Sequence, residues 1–135
     1  GKDRLDEFLA QTHVLVIAAP LTPETRHLLG AAQFAQLPRG AIVVNVGRAK
    51  IIDTEALMDA LDAGHLAGAS LDVFPQEPLP PEHRLWTTPN VLLTPHTSGF
   101  RHGHWDEVID LFGDNIDRFV KGEPLKFRIS PELGY

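Results

Sequence analysis

Four short runs, residues 14–19, 41–46, 69–74 and Val91–Leu93, are dominated by apolar side chains, and the first contains no polar residue at all. A strand with one face in water alternates apolar and polar residues, whereas a run without alternation predicts burial on both faces, as in a parallel sheet covered by helices. Amphipathic stretches separate the runs. Residues 5–11 read as a helix end with Leu5, Phe8 and Leu9 on one face, and Ala31–Gln36 reads as a short helix. Asp53 is placed to cap a helix through Ala63 that turns Ala56, Leu57, Ala60 and Leu61 inward, with Gly64 as its stop. Strand and helix in turn predict an α/β chain.

Residues 75–89 hold five of the eleven prolines and read as a loop. From about 101 to 121 the positions of Trp105, Val108, Ile109, Phe112, Ile116, Phe119 and Val120 keep helical spacing up to Gly122. The stripe of Trp105, Phe112 and Phe119 reads as core, or as a face that meets another domain. No Gly-x-Gly-x-x-Gly is present. In a doubly wound sheet that loop follows the first strand and binds pyrophosphate at a helix N-terminus. Its absence predicts the second half of such a sheet, so that the chain starts midway through the domain.

Composition narrows the function. The net charge of −6 and pI near 5.5 argue against nucleic-acid or anionic-membrane binding, both of which need a basic face. The absence of cysteine excludes disulfides and thiolate chemistry and is compatible with a cytoplasmic location. The longest apolar run, residues 14–21, is far shorter than the roughly 18 residues of a membrane span. No signal peptide is recognisable in the mixed-charge first ten residues.

Three polar residues each follow an apolar run: Arg48 in Val-Asn-Val-Gly-Arg, Glu77 in Phe-Pro-Gln-Glu-Pro, and His96 in Thr-Pro-His-Thr-Ser-Gly. Delivered to one end of one sheet, a guanidinium fork, a carboxylate and an imidazole suit an organic acid that gains or loses a proton, as a 2-keto acid does on reduction. His102 and His104, two apart in a helix, point in different directions, so no metal site is expected. His13, His27, His65 and His83 read as loop and surface positions.

Pro20-Leu21-Thr22-Pro23-Glu24-Thr25, Gly40-Ala41-Ile42-Val43-Val44-Asn45-Val46-Gly47-Arg48, Gly68-Ala69-Ser70-Leu71-Asp72-Val73-Phe74, Glu77-Pro78-Leu79-Pro80, Pro89-Asn90-Val91 and Thr94-Pro95-His96 follow one another in an order and spacing that cover most of the chain. In these stretches the sequence resembles the C-terminal part of the D-isomer-specific 2-hydroxyacid dehydrogenases, in the branch that includes glyoxylate and hydroxypyruvate reductases. One departure is Ala49, where the family usually has Gly; Ala fits unless φ is positive.

The resemblance implies a Rossmann-like fold in which residues 1–100 are the C-terminal half of a nicotinamide-dinucleotide-binding domain, and residues 101–135 a return helix and tail that pack toward a substrate domain outside this sequence. It implies NAD or NADP as cofactor, a small 2-keto or 2-hydroxy acid as substrate, the N-terminal part of the same protein as partner, and a homodimer. Arg48 would grip the substrate carboxylate and polarise the keto oxygen, His96 would exchange the proton, and Glu77 would fix the tautomer of His96 as its partner. Asp72 would face the nicotinamide carboxamide. Ala19, Pro20, Val46, Gly47, Arg48, His96, Ser98 and Gly99 would line the nicotinamide side of the cleft. A surface ion pair for Arg48, a structural role for His96, a solvated Glu77 and a turn or capping role for Asp72 are the plainer alternatives. A dinucleotide-sensing corepressor on the same scaffold, or a bare dimerisation fragment, would share the trio without turning over substrate.

Overall fold

A computed structural model describes residues 4–131 of the 135-residue chain. The chain divides into two compact units, Gly1–Ser98 and Gly99–Tyr135. The irregular tail expected as far as Tyr135 runs past the last described residue.

In the first unit, helix α1 (Leu5–Leu9) leads into β1 (Val14–Ile17), then α2 (Ala31–Gln36), β2 (Ala41–Asn45), α3 (Thr54–Asp62), β3 (Leu66–Leu71) and β4 (Val91–Leu93). The four strands form one wholly parallel sheet in the order β1-β2-β3-β4. The caps are those the sequence offers. The Asp53 carboxylate accepts the Glu55 and Ala56 N–H groups at 3.1 and 3.2 Å and so satisfies the exposed donors of the first turn of α3. Gly64, at φ +64°, turns the chain out of that helix, where a side chain would be strained. The third strand runs three residues earlier in the structure than its apolar run suggested, beginning at Leu66 and ending at Leu71. Asp72, Val73 and Phe74 therefore lie beyond it.

Alternate strand residues point into one core. Leu15, Ile17, Val43, Ala69 and Leu71 pack in a single buried cluster with Leu9, Phe34, Leu57, Met58 and Leu61 from the helices. Their neighbours on the opposite face stay open, with Val16 60% and Leu92 62% exposed. The expectation of strands buried on both faces is thus overturned for this chain. The reason is topological: crossovers between parallel neighbours are right-handed, so strands added always in the same direction place every connecting helix on the same side. Covering the second face needs a reversal of strand order, and none of these four strands provides one.

The second unit is dominated by α4 (His104–Lys121), which starts after Gly103 and stops at Gly122, both at positive φ. Its start is about three residues later than the sequence pattern suggested. The tail folds back along it: Asn115 exchanges hydrogen bonds with the Lys126 backbone, and Asp114 pairs with both Arg118 and Lys126 at 3.0 Å. No residue of the helix is buried. The reading of Trp105, Phe112 and Phe119 as core is therefore corrected, because within this unit there is no second element large enough to bury such a stripe.

The two faces of the sheet can be told apart by adjacent residues. In urea unfolding of this chain, Leu15→Ala should cost about 2–5 kcal/mol, whereas Val16→Ala should cost less than about 1 kcal/mol because its side chain is already in water. Equal costs would show that something covers the Val16 face.

Candidate active site

A parallel sheet carries all its strand-to-loop exits at one end. Arg48 follows β2, Glu77 lies in the long loop after β3, and His96 follows β4 by three residues. The structure brings Glu77 and His96 into contact: His96 Nδ1 and Glu77 Oε2 are 2.7 Å apart. Both side chains are partly exposed, at 46% and 37%.

Each member of the pair is held by its own loop. Glu77 Oε1 accepts the Phe74 N–H at 3.0 Å, so the carboxylate closes the turn that carries it. The hydrogen bond from His96, the Phe74 N–H and the nearby charges of His96 and Arg48 hold the Glu77 carboxyl below its ordinary value, against a smaller opposing effect of burial. The rest of the 75–89 loop is pinned by burial and by ion pairs. Leu79 and Leu85 are buried, and Arg84 forms ion pairs with Glu55, Asp59 and Asp62 of α3.

His96 sits in a bend. Thr94 N–H continues the sheet onto Leu71 O at 3.0 Å, and His96 N–H then closes onto Thr94 O at 3.0 Å. His96 itself has φ +53°, a left-handed conformation uncommon outside glycine. What holds the bend is Asp72. Its Oδ1 accepts from Thr94 Oγ1 at 2.5 Å and from Thr97 N–H at 2.9 Å, and its Oδ2 accepts from Ser98 N–H at 2.9 Å. Burial by itself would raise this carboxyl, but the donors from Ser98, Thr94 and Thr97 outweigh it and hold it far below the ordinary carboxylate range. Asp72 is thus a buried anion bonded to the loop on both sides of the imidazole.

Arg48 is exposed and spends Nη1 on Gly47 O at 2.8 Å. A guanidinium has five donors, which leaves capacity for an incoming carboxylate. Ala49 lies in a short 3-10 turn, Ala49–Ile51, and is absent from the positive-φ residues, so replacing the family's Gly costs no strain. Ala19, Pro20 and Val46 are exposed at the ends of β1 and β2, and Gly47 is buried between those strand ends. A Cβ on Gly47 would come 2.9 Å from Ala19 O, so only glycine permits this approach. Ser98 closes the first unit, and Gly99 belongs to the second.

A cavity of about 420 Å³ adjoins the pair, lined by Phe74, Glu77, Pro78, Leu79, Trp86, Leu93, Thr94, Pro95 and His96. Arg48, Ala19 and Pro20 do not line it. His65 was taken for a surface residue. It is half-buried, and its Nε2 lies 3.0 and 3.1 Å from Phe34 O and Leu37 O at the end of α2. Among the described residues no group of three or more His, Cys, Asp or Glu could hold a metal ion, and no helix is long and apolar enough to cross a membrane.

Residues 1–98 match the family model described as the D-isomer-specific 2-hydroxyacid dehydrogenase NAD-binding domain. The chain belongs to this family. It is 38% identical over its whole length to glyoxylate/hydroxypyruvate reductase A of Photorhabdus laumondii, of which it spans 42%. A D-isomer-specific 2-hydroxyacid dehydrogenase of Xanthobacter autotrophicus Py2, solved with NADPH and MES, superposes with a TM-score of 0.90 at 43% identity, over 100% of this chain and 55% of that one. The NADPH-dependent glyoxylate/hydroxypyruvate reductase of Sinorhizobium meliloti, solved with NADP and sulfate, gives a TM-score of 0.88 at 39% identity, over 98% and 43% of the two chains. The chain thus spans less than half the length of the curated relative. Family membership and the parallel sheet agree that this is a Rossmann-like α/β unit.

Asp72 offers a pH test. A carboxyl depressed on folding contributes stability that is present above its unfolded value, about 3.9, and is lost as pH falls toward the folded value. Asp72→Asn, which leaves donors facing an amide, should therefore cost about 1–3 kcal/mol at neutral pH. The gap from the parent in thermal unfolding should close as pH drops below about 4. A gap independent of pH would show that the charge of Asp72 does not hold the loop.

Proposed function

We propose that this chain supplies the proton-transfer and carboxylate-binding residues of an NAD(P)-dependent dehydrogenase that interconverts small 2-keto acids and D-2-hydroxy acids, with glyoxylate and hydroxypyruvate as the substrate class. The observation that carries this reading is the 2.7 Å contact between His96 Nδ1 and Glu77 Oε2. The names of the relatives favour a reductase over a dinucleotide-sensing corepressor.

Glu77, held ionised, accepts the Nδ1 proton and leaves Nε2 as the ring atom free to exchange a proton with substrate. During reduction His96 Nε2 protonates the oxygen that becomes the hydroxyl; during oxidation it takes that proton back. Arg48 pairs with the substrate carboxylate through two parallel N–H donors and draws the keto oxygen into the same field. The exposed Ala19, Pro20 and Val46, beside a Gly47 that has no side chain, offer a surface of mostly small residues to the nicotinamide ring, and the carboxamide is placed on the Asp72 side. This donor set fits the nicotinamide end of NAD or NADP, which when bound supplies or accepts the hydride at the substrate carbon. The two solved relatives hold NADPH and NADP. Cytoplasmic residence, supported by the lack of cysteine, and assembly as a homodimer, supported by the exposed apolar faces, complete the reading.

In the full-length enzyme, His96→Ala should lower turnover by about 10²-fold to 10⁴-fold, the range for loss of a general acid. Cofactor affinity should change only a few-fold. Near-parental turnover would remove His96 from the chemistry. Glu77→Gln tests the pair. Without the carboxylate, Nδ1 loses the acceptor that fixes the tautomer and orientation of the ring, so turnover should fall by about tenfold or more while cofactor affinity changes only a few-fold. Parental turnover would show that Glu77 is not the partner.

A further inference from the structure

Asn45, the last residue of β2, is fully buried, at 0% exposure, in a strand otherwise apolar. A buried amide is costly unless its groups are bonded. Both of its bonds go to the Arg48 loop. Its Oδ1 accepts the Gly47 N–H at 3.1 Å, and its Nδ2 donates to Arg48 O at 3.2 Å. The side chain therefore brackets two consecutive residues. Gly47 O in turn accepts Arg48 Nη1 at 2.8 Å, which ties the guanidinium to the segment that Asn45 holds.

The bracket rests on a fixed base. Asn45 lies between Ile17 of β1 and Leu71 of β3 in the parallel register, and its own carbonyl accepts the Asp72 N–H at 3.0 Å. Gly47 is pressed against the Ala19 backbone, so the loop cannot relax toward β1. We infer that Asn45 is a positioning residue for substrate binding, aiming Arg48 through these two hydrogen bonds. The inference rests on the reading of Arg48 as the group that binds the keto-acid carboxylate.

The test uses the full-length enzyme with Asn45→Asp, which keeps the acceptor and replaces the donor, and Asn45→Ser, which shortens the reach of both. Arg48→Lys serves as the reference. Both Asn45 variants should raise KM for glyoxylate by about tenfold to a hundredfold, the scale of a misplaced binding group. NADPH affinity should stay within about threefold and the alkaline limb of the pH profile should not move, since neither reports on Arg48 alone. In the Arg48→Lys background, Asn45→Asp should add little, because the two changes spoil one interaction. Parental KM in folded Asn45 variants, beside a raised KM in Arg48→Lys, would overturn the inference. So would a fall in NADPH affinity in step with KM, or failure of both variants to fold, each of which would assign Asn45 to the fold alone. An unchanged KM in Arg48→Lys would instead sink the assignment of Arg48 itself, and the inference with it.

Discussion

The site depends on the parallel pairing of β2, β3 and β4, which forces three loops to leave the sheet at the same end. In an antiparallel arrangement alternate loops would exit at opposite ends, and the loops that carry Arg48, Glu77 and His96 would not share one. The pairing also puts Asn45 and Asp72 side by side, joined by the bond from Asp72 N–H to Asn45 O. From this junction each polar side chain reaches into a different loop. Asn45 holds the segment that carries Arg48, and Asp72 holds the bend that carries His96. The exposed reactive groups are thus fixed by buried polar ones, where a low local dielectric strengthens each bond.

The strain in the site is local. His96 adopts a positive φ that a non-glycine residue rarely takes, and three hydrogen bonds to one carboxylate hold it there. Glu77 uses its other oxygen on its own turn, so the 2.7 Å contact to His96 is set from both sides. The cofactor reading follows the same economy. In that reading Ala19, Pro20 and Val46 offer exposed side chains at the strand ends, and at Gly47 the backbone approaches Ala19 too closely for any side chain.

The trio proposed for the site could be singled out in the sequence because each member lies within three residues of the end of an apolar run, and position after a strand is a local property. Helix bounds at Asp53 and Gly64 were legible for the same reason, since a cap acts over three or four residues. Asn45 was passed over, although a lone polar residue closing an otherwise apolar strand was the available signal. Asp72 reads in the sequence as a cofactor contact or a turn or capping residue, and its role in bracing the His96 bend is hidden because its partners Thr94, Thr97 and Ser98 lie more than twenty residues away along the chain. The third strand was placed late because Val73 and Phe74 are apolar and extend the run past the last ladder position at Leu71.

By itself, then, the sequence determined the class of fold, the order of its elements and the family, and it singled out the three side chains proposed for the site, all carried by patterns within a short stretch of chain. The tertiary structure alone decided which face of the sheet is covered, since apolar strands look the same whether helices lie on one side or two. It also decided that Asp72 and Asn45 work as braces. Hydrogen bonds between residues distant in sequence depend on register and strand order, and a linear pattern of side chains does not contain them.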